Sequence, residues 1–123
     1  MLSKKNRISR ALFSLIFVNG QIYHSSSVYI QVAQLRSNIK KSIPEKSKFA
    51  FVISKKAVKK AVSRNKLRRI GYSIIQKNLT NIKNGYLVSF FFKKNIISLS
   101  KIEIENEIIF LLKKTKLLMD ITL

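Results

Sequence analysis

Between Lys55 and Arg69 the chain runs Lys-Lys-Ala-Val-Lys-Lys-Ala-Val-Ser-Arg-Asn-Lys-Leu-Arg-Arg, without one acidic residue. Wound as a helix, the later part of this segment puts Arg64 and Arg68 one turn apart on one face. Asn65 and Arg69 then form the neighbouring ridge, with Lys66 between them in sequence. A guanidinium carries five N–H donors in a planar fork that matches phosphate oxygens, so this spacing suits several directional phosphate contacts from one rigid rod. Lys55, Lys56, Lys59 and Lys60 add longer-range attraction, because ammonium groups that neutralise phosphates release condensed counterions. The chemistry on offer is recognition of a polyanion. The plain alternative is a solvated basic helix face.

The whole chain leans the same way. Its 123 residues hold 25 Lys and Arg against 5 Asp and Glu, a formal charge of +20 that repels itself unless an anion neutralises it. Nucleotide bias can inflate Lys in a chain rich in Ile and Asn, so placement decides. The acids are Glu45, Glu103, Glu105, Glu107 and Asp120, which leaves 1–44 and 46–102 with none. Only six arginines occur, and three of them fall within Arg64 to Arg69, a clustering that lysine inflation does not produce. Charge by itself does not separate a folded RNA from DNA or an anionic membrane.

Residues for bond-breaking chemistry are scarce. His24, beside a run of serines, has no second histidine to work with. Carboxylate pairs for two-metal hydrolysis are missing from the basic region, and Glu103, Glu105 and Glu107 read as partners of a helix dipole. No catalytic and no metal-ligating residue is assigned. The absence of Cys excludes disulfides and thiolate metal sites, and a cytoplasmic location is the expectation. No segment reaches the ~20 apolar residues of a membrane span. The run from Ala11 to Val18 after Lys4, Lys5, Arg7 and Arg10 is short for a secretory signal and ends in Asn19-Gly20-Gln21, a helix stop.

The elements that must position these groups follow from periodicity. Residues 8 to 18 read as an amphipathic helix through Ile8, Leu12, Leu15 and Ile16, with Phe13 and Phe17 on an adjoining face. From Ser27 to Val32, Val28, Ile30 and Val32 alternate with Ser27, Tyr29 and Gln31, which predicts a strand covered on one face only. Residues 36 to 48, with Pro44 and no hydrophobic period, predict a mobile polar loop. Phe49 to Ile53 and Tyr86 to Phe92 are apolar enough for central strands buried on both faces. Between them a helix of about twenty residues carries the stripe Leu67, Ile70, Ile74. A last helix is announced by Ser100 as N-cap with Glu103 three residues on, followed by Ile104, Ile108, Leu111, Leu112 and Leu118 on one side. It gathers most of the acids, so it is expected to face away from the polyanion. With 46% hydrophobic residues, one Pro and three Gly, residues 1–123 are expected to form one domain, an α/β sandwich with helices packed on one small mixed sheet.

Phe49-Ala-Phe-Val-Ile-Ser-Lys-Lys, followed by Ala61-Val-Ser-Arg-Asn-Lys-Leu-Arg-Arg, resembles the signature of the protein subunit of bacterial ribonuclease P. In that family an apolar strand ending in Ser/Ala-Lys-Lys leads into a helix with Arg-Asn-Arg and further basic residues. The likeness extends to Leu2-Ser-Lys-Lys-Asn-Arg-Ile, to Phe13, Phe17 and Gly20 as the end of an opening helix, and to Gly85 to Phe92 followed by Lys93-Lys94. Most of the chain is covered.

The resemblance implies a left-handed strand-helix-strand crossover, against the usual right-handed rule, in a fold like one domain of a ribosomal protein. It also implies a role. A catalytic RNA cleaves the 5′ leader from precursor tRNA, and the protein, monomeric within that ribonucleoprotein, binds the RNA and holds the leader in a cleft. Carried over by position, Arg64, Asn65, Lys66, Arg68 and Arg69 contact the catalytic RNA, with Lys55, Lys56, Lys59 and Lys60 beside them. Phe13 and Phe17 line the leader cleft, with ordinary core packing as their competing reading; Tyr29 and Gln31 are assigned to the same cleft from their outward strand face, since no motif aligns them. Magnesium is expected mainly on RNA phosphates. Two departures stand out. Lys66 replaces the family's second Arg, keeping charge and losing the fork. Gly71-Tyr72-Ser73 occupies positions where further charged residues are common, and a mid-helix Gly is expected to weaken the far end of the helix by ~1 kcal/mol relative to Ala. A ribosomal or other structural RNA-binding protein of similar fold is the rival reading, and a basic membrane-surface protein a third.

Overall fold

A computed structural model describes residues 6–8, 20–34 and 46–118. The expected opening helix, with Phe13 and Phe17, and nearly all of the expected 36–48 loop lie outside the described residues. Among the described residues the elements are β1 (Gln21–His24), β2 (Val28–Gln34), β3 (Lys48–Val52), α1 (Ala61–Asn78), β4 (Tyr86–Phe92) and α2 (Lys101–Lys114). The strands form one mixed sheet in the order β1-β2-β4-β3. β1 pairs antiparallel with β2, β2 antiparallel with β4, and β3 parallel with β4.

Alternation sorts the strands into two faces. Val28, Ile30, Phe49, Phe51, Val88, Phe90 and Phe92 point to one side, where Leu67, Ile74 and Ile75 of α1 and Ile104, Ile108, Leu111 and Leu112 of α2 cover them in a single core. The α/β expectation of a small mixed sheet carrying helices is met.

Several local expectations are corrected. β1 was not foreseen, because four half-exposed residues show no period. β2 runs on to Gln34, and its second face is not open: Gln31 is 6% and Ala33 4% exposed. Ile8 does not open a helix; its amide donates to the Phe49 carbonyl at 3.0 Å, next to a bridge between Arg7 and Phe49. Lys48 belongs to β3, which is an edge strand rather than a central one. Only Phe49 and Phe51 of β3 are fully buried, and Ala50 and Val52 are half-covered. An apolar run reports hydrophobicity and not the number of neighbouring strands. The bridge from Arg7 covers part of this edge, which would otherwise offer unpaired backbone groups.

α1 spans 18 residues and begins only at Ala61, so Lys55 to Lys60 precede the helix rather than lie on it. Gly71 has a packing reason. A Cβ there would meet the Phe51 ring at 2.5–2.7 Å, closer than real contacts allow, so the missing side chain lets α1 lie against β3. The helix continues unbroken through Gly71 to Asn78.

α2 starts as expected. Ser100 Oγ accepts from the Glu103 amide at 3.2 Å, and Glu103 Oε1 accepts from the Ser100 amide at 3.0 Å, a complete capping box. These bonds, led by the one from the Ser100 backbone, hold the Glu103 carboxyl below its ordinary range. Glu105 and Glu107 do more than complement a dipole: Glu105 pairs with Lys77 at 3.1 Å, and Glu107 reaches the β1–β2 turn.

Candidate nucleic-acid interface

The basic segment leaves the sheet at the end of β3 through a tight turn. Ser54 closes it: its carbonyl accepts from the amides of Ala57 and Val58 at 3.1 and 3.0 Å, and its hydroxyl accepts from Ala57 at 3.1 Å. Val58 drops into the core and anchors the turn, while Lys55, Lys56, Lys59 and Lys60 stay exposed. The lysines are thus held on a short loop with one buried foot.

Arg64 departs from expectation. Its Nη1 donates to the carbonyls of Val58 and Lys59, both at 2.8 Å, so the side chain folds back over the start of α1 instead of standing out from it. Those carbonyls have no helical partner, and a cation is the natural donor for them. Arg68 and Asn65 do share one surface, with Arg68 Nη1 donating to Asn65 Oδ1 at 2.9 Å. The amide fixes the guanidinium. Lys66 and Arg69 are exposed beside them.

The acids lie elsewhere. Those among the described residues are Glu103, Glu105 and Glu107, all on α2, and their hydrogen bonds and ion pair go to Ser100, Lys77, Ser25 and Ser27. None is spent on the 55–69 segment. A cavity of about 740 Å³ opens beside it, lined by Asn65, Arg68, Arg69, Tyr72 and Ser73 of α1, with Val62 and Arg7 completing the wall. Sequence reasoning missed Arg7, which lies far away in the chain and arrives through its bridge to Phe49.

The second sheet face carries the other predicted site residue. Tyr29 stacks on Phe91 with ring centroids 4.6 Å apart and planes 3° from parallel, and the His24 ring is 5.3 Å from Tyr29. The register sets Tyr29 opposite Phe91 and Phe91 opposite Val52, one row across three strands. Lys55 follows Val52 by three residues, so the aromatic pair and the basic turn share one end of the sheet. In the next row Gln31 faces Ser89, both buried, and the Ser89 hydroxyl has no partner. Phe91 was missed as a site residue because a wholly apolar strand does not reveal which ring faces which way. His24 is exposed, as expected of a surface residue. Among the described residues no three His, Asp or Glu gather as a metal donor set, and no helix is long and apolar enough to cross a membrane.

Comparison with known proteins places these features. Residues 2–116 match the sequence profile of the family described as Ribonuclease P. The chain is 40% identical over 77 residues to a protein of Prochlorococcus marinus (strain MIT 9215) named ribonuclease P protein component, covering 58% of this chain and 60% of that protein. A ribonuclease P protein component from Synechococcus sp. (strain JA-2-3B'a(2-13)) is 30% identical over 119 residues, 96% of this chain and 87% of that protein. Against the Prochlorococcus relative, then, the match spans about three-fifths of the relative's length. The fold of the Staphylococcus aureus RNase P protein superposes with a TM-score of 0.79 at 20% identity, over 94% of this chain and all of that one.

Proposed function

We propose that this chain, which belongs to the ribonuclease P protein family, acts in tRNA processing as an RNA-binding subunit. In this reading it docks on a catalytic RNA through the Lys55–Arg69 segment and holds the 5′ leader of precursor tRNA on the sheet face around Tyr29. The observation that carries it is the division of charge: the described acids sit on α2 with partners of their own, while nine cationic or amide groups from Lys55 to Arg69 are left without a carboxylate.

Each group then has a part. Lys55, Lys56, Lys59 and Lys60 attract phosphates at range from the loop, and Lys66 and Arg69 meet them on the helix. Arg68, held by Asn65, presents a fixed guanidinium, and Arg64 shapes the loop while offering its remaining donors. Tyr29 and Phe91 supply a stacked aromatic pair for unpaired leader bases, with sequence-tolerant stacking of ~1–3 kcal/mol per base. In this reading the divalent ions sit on RNA phosphates and hydrolysis belongs to the RNA. The protein works as a monomer in the cytoplasm.

Reconstitution tests this. Added to a ribonuclease P RNA at low magnesium, the purified chain should accelerate leader removal from precursor tRNA. RNA binding without any stimulation would overturn the reading and leave a structural RNA-binding protein.

A further inference from the structure

The cavity beside α1 has a composition that phosphate contacts do not explain. Tyr72 lies in its wall, and the ring is held in place by an edge-to-face contact with Phe51, centroids 4.9 Å apart. Gly71, the next residue back, allows that fit by letting α1 sit on the same Phe51 ring. Val62, 77% exposed, is a bare apolar group on the rim. Around them stand the guanidinium groups of Arg68, Arg69 and Arg7, the last with a buried Nε that has no hydrogen-bond partner.

A duplex backbone needs a row of exposed cations and no hollow. A lone phosphate would leave the ring and Val62 uncovered, and an apolar ligand would leave three guanidinium groups uncompensated. A body with a flat aromatic part and an anionic part satisfies both walls. About 740 Å³ is within the ~300–1,000 Å³ of small-ligand sites and has room for a single nucleotide.

We propose that this cavity takes one unpaired nucleotide of the bound RNA, its base against the Tyr72 ring and its phosphate on Arg68 and Arg69. The inference rests on the RNA-binding reading and adds to it the class of group held there. The nucleotide must be unpaired, because bases inside a helix have their faces covered, whereas those of loops and bulges can be splayed onto aromatic side chains. Asn65 Oδ1 accepts from Arg68 and so aims the guanidinium, which leaves the Asn65 amide NH2 to donate to the nucleotide. Of the lining groups Ser73 offers one hydroxyl, which sets little base preference.

Binding of adenosine 5′-monophosphate and of inorganic phosphate to the full-length chain, followed by amide chemical shifts, tests the proposal. The nucleotide should bind about tenfold more tightly than phosphate, the lower part of the range for one stacked base, with shifts centred on Tyr72 and Ser73. Tyr72→Leu, which keeps an apolar body against Phe51 and removes the π face, should bring the nucleotide down to the level of phosphate, and Tyr72→Phe should retain the preference. Equal affinities in the unaltered chain, shifts centred elsewhere, or a preference that survives Tyr72→Leu would each overturn it. Should Tyr72→Leu not fold, the affinity ratio and shift map of the unaltered chain still decide. This measurement is independent of leader removal: a failed reconstitution with an intact nucleotide preference removes the proposed RNA partner and leaves the cavity's ligand standing.

Discussion

α1 and α2 pack on the same sheet face and bury similar aliphatic stripes, yet their starts are built in opposite ways. α2 opens with a capping box and Glu103 in its first turn, and closes with Lys113 and Lys114, so these charges agree with the helix dipole and only Lys101 at its start opposes it. α1 has no side-chain cap and no acid in its first turn, and Lys59, Lys60 and Arg64 gather at its positive end. Cations there oppose the dipole by roughly 0.3–1 kcal/mol each when exposed. Arg64 offsets part of this through the carbonyls of Val58 and Lys59. One helix is finished by its own residues. The other is left electrostatically incomplete where an anionic partner would complete it.

Substitutions can break this contrast. The largest effect belongs to the contact that seats α1 on the sheet: Gly71→Ala should lower unfolding free energy by about 1–3 kcal/mol in urea titrations, overpacking against Phe51 outweighing the ~1 kcal/mol gained in helix propensity. A neutral result would mean that α1 does not lie on that ring. On α2, Glu107→Ala removes the acceptor that Ser25 Oγ and the Ser27 amide share, at 2.6 and 2.7 Å. It should cost about 2 kcal/mol by thermal melting and leave the salt dependence of RNA binding unchanged. Substitutions on α1 should do the reverse. Lys66→Ala and Arg68→Ala should each move stability by no more than ~0.5 kcal/mol while lowering the slope of log K against log salt by about 1. Unchanged slopes would take this helix out of the interface. The smallest effect is the pH dependence of α2. Because the capping bonds hold the folded Glu103 carboxyl below its ordinary range, its contribution is present above the ordinary carboxylate range and is lost as pH falls through the folded value. Glu103→Gln should remove that part of the acid limb in melting curves taken between pH 6 and 3.

Much of this was legible in the sequence where cause and effect are close in the chain. The Ser100–Glu103 box spans four residues, and the helix charges need only counting. What was missed depends on distant partners. Phe49 to Ile53 looked central, since an apolar run does not say that β3 has one sheet neighbour. Gly71 looked like a weakness, because its reason, Phe51, lies twenty residues back and on another element. Arg64 was expected to point outward, and only the path of the Ser54–Lys60 turn brings two free carbonyls within its reach. Tyr29 was picked out, but its stacking partner Phe91 required the β2–β4 register. Phe13 and Phe17 lie outside the described residues.

The sheet order has a consequence for synthesis. Among the described residues β4 is the last strand, and it is the one that joins β2 to β3. A growing chain that has emerged only as far as Asn78 therefore holds the β1–β2 hairpin and the whole basic segment, but no sheet to seat them. At about 5–20 residues per second, Lys55 to Arg69 is in solution for roughly a second or more before Phe92 arrives. During that interval the most strongly charged part of the molecule has no completed sheet to pack on, and a polyanion encountering it there would guide folding as well as occupy the finished surface.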